Sequence, residues 1–328
     1  MRRLFVFLVV IAAFASGGAL WWLNQSLPMS AETVDLAVEP GTLPRAVAQA
    51  AADAGIEVNP LLLYGWFRFS GQARQIKAGS YELERGVTPR SLLRKLVRGD
   101  EALRAVTLVE GWTFVQVRAA LLKAEHLAPT TRGLAPDLIM KSLDRPGQHP
   151  EGRFFPDTYT YAKGSSDLAV LKRALRAMDK RLESAWAQRA PDTPLKTPDE
   201  ALTLASIIEK ETGRASDQAM IAAVFSNRLR SGMMLQTDPT VIYGLGDKFD
   251  GNLRRTDLQT DTPWNTYTRA GLPPTPIAMP GKSALLAAVR PAPSKALYFV
   301  ARGDGTSEFS ADLAAHNRAV NKFQRGQQ

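Results

Sequence analysis

Apolar and polar positions first separate at the start of the chain, where Leu4 to Leu23 forms a nearly unbroken apolar run behind Arg2 and Arg3. Roughly 20 apolar residues cross the hydrocarbon core as a helix, so the run reads as a transmembrane anchor over 4–23. A cleaved signal peptide is the competing reading, since Ala13-Phe14-Ala15 places small residues at cleavage-site spacing. Apolar character nevertheless continues to Trp21 and Trp22, and tryptophan favours the membrane–water boundary, which favours the uncleaved anchor. No Lys or Arg follows the run until Arg45, so residues 1–3 are expected in the cytoplasm and the rest outside it.

A polar stalk over 24–33 precedes Val34–Val38, which alternates apolar and polar as a half-buried strand does. The pattern then predicts helices over 43–54 and 59–69, a strand over 79–83 and a helix opened by Thr88-Pro89. Strand, two helices, strand makes a small βααβ module, bounded at 34–100. Beyond it the pattern gives a strand over 105–109, a helix over 113–124, loops through the Pro- and Gly-containing stretch 128–152, and a long helix over 167–189. A strand over 297–301 and a helix over 312–323 close the chain. The expected class is α+β: a transmembrane helix, the small module, and a larger mixed domain over 105–328.

Thr197-Pro198-Asp199-Glu200 is a strong helix start, with threonine at the N-cap, proline at N1 and glutamate at N3 to complete a capping box. The helix is expected to reach Thr212 and stop at Gly213; the next runs from Ser216 to Gly232. On the first, Glu209 and Glu211 each sit against apolar neighbours. Loss of hydration raises a carboxyl's pKa and suits it to general-acid work. Residues two apart project about 160° from each other on a helix of 3.6 residues per turn, so the two cannot flank one bond and the wheel does not choose between them. The alternative is that both pair with Arg214, Arg228 or Arg230 and only hold helices together.

The 328 residues carry a formal charge of +9, with basic residues scattered rather than gathered into a tract, so nucleic acid is not the expected partner. An anionic wall polymer or lipid headgroups suit an exported basic surface better, unless the charge serves solubility alone. No cysteine is present, which removes disulfides and thiolate chemistry, and the three histidines lack metal-ligand spacing. No cofactor is expected: Gly281-Lys282-Ser283 lacks the upstream glycine of a phosphate loop, and no nucleophile-elbow motif occurs.

Leu204-Ala205-Ser206-Ile207-Ile208-Glu209-Lys210-Glu211-Thr212, Val224-Phe225-Ser226-Asn227-Arg228-Leu229, the segment from Leu235 to Gly244, Asn265-Thr266-Tyr267 and Gly271-Leu272-Pro273-Pro274 together resemble the endolytic murein transglycosylase family. Glu110-Gly111-Trp112-Thr113 and Phe155-Pro156-Asp157-Thr158-Tyr159 extend the match, and the small module is similar to that family's LysM-like domain. The resemblance implies an enzyme of the inner membrane, facing the periplasm, that cleaves nascent peptidoglycan strands between N-acetylmuramic acid and N-acetylglucosamine. It would leave 1,6-anhydromuramyl ends, helping to terminate strand elongation, with wall synthases as further partners.

By the same resemblance Glu209 is the catalytic residue. Gln236, Thr237 and Asp238 are candidate hydrogen-bonding groups for sugar, Asp238 alternatively a helix cap. Tyr243, Trp264 and Tyr267 offer either faces for sugar rings or core packing. Asn265 is either a donor to the acetamido group or a turn residue. A non-catalytic scaffold for wall synthases and a water-using muramidase are the alternative functions.

Overall fold

The computed structural model describes residues 2–100, 102–324 and 326, with the side chains of residues 3–6, 8–13 and 15 outside that description. Helix α1 (Arg2–Leu23) covers the segment expected to be an anchor. Most side chains of its apolar run lie outside the described residues, and among the described residues no helix is long and apolar enough to cross a membrane. The chain is α+β, its strands forming three separate two-stranded sheets among the described residues. It divides into two compact units: Met1–Arg104 with Thr160–Ser165, and Ala105–Tyr159 with Ser166–Gln328.

In the first unit, β1 (Thr33–Val38) and β2 (Gly79–Glu84) pair antiparallel, with Val34 opposite Leu83 and Leu36 opposite Tyr81. Alternation along β1 puts Val34, Leu36 and Val38 on one buried face, as the two-residue period of a strand requires. Helices α2 (Pro44–Asp53), α3 (Pro60–Phe69) and α4 (Pro89–Arg98) close over that face through Val47, Leu63, Phe67, Leu92 and Leu96. Asn59 caps α3 by accepting the N–H of Leu61 at 2.9 Å, and Thr88 with Ser91 forms a capping box on α4.

Strand β3 (Leu103–Thr107) leads to α5 (Phe114–Lys123) and α6 (Pro136–Ser142), and β4 (Thr158–Ala162) pairs with β3. The division into units falls inside these two strands. Helix α6 corrects the expectation of loops through 128–152. Pro136 sits in its first turn with Asp137, and Ile139 and Met140 are buried, but seven residues are too few to show a period among flanking Pro and Gly.

The second unit is built around four helices: α7 (Asp167–Ala187), α8 (Pro198–Glu211), α9 (Ala215–Arg230) and α12 (Lys282–Val289), with short α10 (Asp238–Leu245) and α11 (Arg255–Gln259) between the last two. A hairpin of β5 (Tyr298–Ala301) and β6 (Ser307–Ser310) and helix α13 (Leu313–Gln324) end the chain. Every residue of α8 from Ala201 to Ile208 is buried, so this helix is wrapped on all sides and forms the axis of the larger core.

Helix α8 starts at Thr197, whose hydroxyl oxygen accepts the N–H of Glu200 at 3.2 Å. Glu200 does not reach back to the cap residue; it accepts the N–H of Lys196, one position earlier, at 2.6 Å. The helix ends at Glu211, because Thr212 is already extended, and α9 begins after Arg214 rather than at Ser216.

Candidate functional site

A helix buried on every side can carry ionisable groups only where it emerges, and α8 emerges at Glu209, Lys210 and Glu211. One turn before, Ser206 is fully buried, and its oxygen accepts the N–H of Ile277 at 3.0 Å. Glu209, three residues on, accepts the N–H of Gly281 through Oε2 at 2.9 Å. These bonds fix segment 277–281 along α8 and place Glu209 at the start of α12, where the helix dipole favours negative charge.

The loop after β3 closes the other side of Glu209. Gly111 donates its N–H to the carbonyl of Met279 at 2.9 Å, and Met279 returns its N–H to the carbonyl of Trp112 at 2.7 Å. Gly111, at φ 75°, adopts a conformation that favours glycine, and a side chain there would begin 4.0 Å from Cγ of Glu209. Burial raises the pKa of Glu209 above the ordinary carboxylate value; the Gly281 N–H opposes this, the charge of Glu110 adds to it, and Lys210 opposes it. Among the described residues only Oε2 is hydrogen-bonded, which leaves Oε1 available to a substrate.

Glu211 projects into a different cleft of about 650 Å³, lined with Arg228, Gln236, Thr237, Asp238, Tyr267, Tyr298, His316 and Asn317. The Thr237 hydroxyl donates to its Oε1. Burial pushes Glu211 up to about 7, with the Thr237 bond opposing, Asp238 adding repulsion and Arg228 opposing. Neither Glu209 nor Glu211 forms an ion pair with arginine among the described residues: Arg228 donates to the carbonyls of Leu297 and Leu235 at 2.7 and 2.9 Å, and Arg230 pairs with Asp192 at 3.0 Å.

The structure therefore gathers four of the sequence candidates, Gln236, Thr237, Asp238 and Tyr267, around Glu211 rather than Glu209. Gln236 is exposed with φ 48°, a left-handed conformation unusual outside glycine, and its N–H donates to the Thr266 carbonyl. Asp238 is exposed and accepts the Tyr267 hydroxyl at 2.6 Å. Tyr243 lies elsewhere: its hydroxyl donates to Glu151 at 3.1 Å and its ring meets Trp264 edge-on at 5.4 Å.

Asn265 is fully buried and presents nothing to a ligand. Its amide nitrogen donates to the carbonyls of Thr260 and Leu258 at 2.7 and 3.1 Å, and its Oδ1 accepts the N–H of Tyr267 at 2.8 Å. This is the turn-residue alternative, and it corrects the acetamido-donor one. Glu110 and Glu151 escaped sequence reasoning as ionisable groups. The only signal for Glu110 was its place in the motif Glu110-Gly111-Trp112-Thr113, and Glu151 had none, since it falls in the stretch read as loops. No group of three or more His, Cys, Asp or Glu among the described residues is arranged to hold a metal ion.

Residues 36–322 match the model of the YceG-like family. The endolytic murein transglycosylase of Bacillus subtilis is 30% identical over 96% of this chain and 91% of its own length. That of Streptococcus pneumoniae strain D39 is 27% identical over 96% of this chain, which spans 64% of that relative. A YceG-like protein of known structure from Listeria monocytogenes is 28% identical with a TM-score of 0.54, covering 88% of this chain and 98% of its own.

Proposed function

The chain belongs to the YceG-like family, and on that premise we propose that it is an endolytic peptidoglycan lytic transglycosylase with Glu209 as its acid and base. Near-full-length similarity to relatives named endolytic murein transglycosylase supports the activity. The observation that carries the residue is the half-buried carboxyl of Glu209, held by one oxygen on the Gly281 N–H with the other oxygen free.

Protonated, Glu209 donates to the oxygen between N-acetylmuramic acid and N-acetylglucosamine as that bond breaks. As carboxylate it then accepts the proton of the muramic C6 hydroxyl, whose oxygen bonds to C1 and closes the 1,6-anhydro ring. Water is not consumed. The substrate's own 2-acetamido oxygen can stabilise positive charge at C1, so a single protein acid suffices.

A second reading of the acid rests on one observation: Gln236, Thr237, Asp238 and Tyr267 surround Glu211, whose carboxyl is pushed up to about 7 by burial. It places the acid one face round the same helix and leaves the reaction unchanged.

The proposal extends to the rest of the chain. Leu4–Leu23 anchors it in the inner membrane with the catalytic domain, 105–328, in the periplasm, supported by the apolar run and the basic residues before it. Residues 34–100 form a LysM-like module, and tethering confines cleavage to nascent strands near wall synthases, where it terminates elongation.

Mass spectrometry of glycan ends released from purified peptidoglycan by residues 32–328 tests the activity. Anhydromuramyl ends are expected. Reducing ends would establish a water-using muramidase, and binding without cleavage would establish a scaffold.

A further inference from the structure

The environment of Glu209 contains a second carboxylate that the single-acid mechanism leaves unused. Glu110 is exposed, and among the described residues its carboxylate makes no hydrogen bond or ion pair; the nearby Lys210 ammonium donates instead to the carbonyl of Gly111 at 3.4 Å. Its position is set by the backbone, because the neighbouring Gly111 and Trp112 exchange hydrogen bonds with Met279.

Glu110 and Glu209 meet at one residue. Gly281 donates its N–H to Glu209, while a Cβ built on Gly281 would lie 1.9 Å from Oε1 and 2.4 Å from Cδ of Glu110. The Glu110 carboxylate thus occupies the space that any side chain at 281 would take. Gly281 has φ −79°, an ordinary value for any residue, so it is the Glu110 side chain rather than backbone conformation that a larger residue there would disturb.

We propose that Glu110 is a positioning residue for the acid, its unpaired carboxylate set against Glu209 across Gly281 so that the proton is held before cleavage and reclaimed after it. The inference rests on Glu209 being the acid. A negative neighbour disfavours ionisation of the acid, so Glu209 waits protonated. Once the proton has gone to the leaving oxygen, two carboxylates face each other, and the same repulsion makes Glu209 the stronger base for the C6 hydroxyl proton. Of the groups facing Glu209, Lys210 on α8 acts in the opposite sense, and the segment entering α12 contributes the Gly281 N–H.

The test is the pH profile of anhydromuramyl end formation by full-length wild type, Glu110→Gln and Glu110→Asp, with Glu209→Gln as reference. Activity that needs a protonated acid falls on the alkaline side, and removing the Glu110 charge moves that fall to lower pH. Glu110→Gln is expected to retain the acid-side rate within about twofold and to lose roughly three- to tenfold on the alkaline limb, with Glu110→Asp closer to wild type. Gly281→Ala, which displaces the tip of a flexible side chain rather than backbone, should shift the limb the same way and guards against a folding defect in the first variant.

An unmoved limb in both Glu110→Gln and Gly281→Ala, or an equal loss at every pH, overturns the role of Glu110 and leaves the acid in place. An active Glu209→Gln would instead remove the assignment on which the inference rests.

Discussion

Tyr243 donates its hydroxyl hydrogen to Oε2 of Glu151 at 3.1 Å, joining residues 92 apart in the chain, while Oε1 of the same carboxyl accepts the N–H of Phe114 at 2.9 Å. Glu151 is 3% exposed and so ties the start of α5 to α10 from inside the fold. Burial pushes it up to about 7 from an ordinary value of 4.5, with its hydrogen bonds opposing.

A carboxyl whose pKa is higher folded than unfolded makes the folded state bind more protons between the two values. Its contribution is complete below about pH 4.5 and is lost as pH rises through about 7. Glu151→Gln is therefore expected to flatten the loss of stability over that window, by at most about 3 kcal/mol. Melting temperatures from pH 4.5 to 8 check this. A decline as steep as that of wild type would contradict it.

Asn265 organises the 257–268 loop from within, holding backbone carbonyls with one nitrogen and the Tyr267 N–H with its oxygen. Asn265→Ala leaves several buried polar groups without partners, so a loss of about 2–4 kcal/mol is expected in urea unfolding. A cost below about 1 kcal/mol would show that the loop holds itself.

The Tyr267 hydroxyl holds Asp238 at 2.6 Å on the wall of the Glu211 cleft. If that cleft carries part of the glycan strand, Tyr267→Phe should raise KM roughly two- to fivefold, as losing one hydrogen bond does, with kcat within about twofold. A fall in kcat at constant KM would instead tie Asp238 to the chemistry.

The legible parts of the fold were those where local signals and burial agree. Alternation marked β1, Asn59 and Thr88 marked the starts of α3 and α4, and Thr197-Pro198 marked α8. Short α6 and α11 escaped because five to seven residues span too little of a helical period, and α10 showed only in Asp238 as a cap, whereas Asp238 is the first helical residue after Thr237 and accepts the Tyr267 hydroxyl instead. Strand β6 escaped because its four residues, Ser307–Ser310, contain a single apolar side chain, Phe309, and so show no alternation of their own.

At the site, the two glutamates were visible, but their surroundings were not. The wheel assumes one buried face, whereas α8 is buried all round, so the environment of each carboxyl is set by segments distant in sequence: Gly281 and Glu110 for Glu209, Thr237 and Asp238 for Glu211. For Asn265 the polar loop left a sugar donor and a turn residue both open, and only the fold shows its amide fully used inward.

The most direct test sets Glu209→Gln beside Glu211→Gln and measures the rate of anhydromuramyl end release from purified peptidoglycan, with folding of both variants checked by circular dichroism. Removing a general acid costs roughly 10²- to 10⁴-fold, so Glu209→Gln should fall by at least about a hundredfold and Glu211→Gln by less than about tenfold. The reverse order, with Glu209→Gln active and Glu211→Gln silent, would contradict the account and move the acid to the cleft of Thr237 and Tyr267.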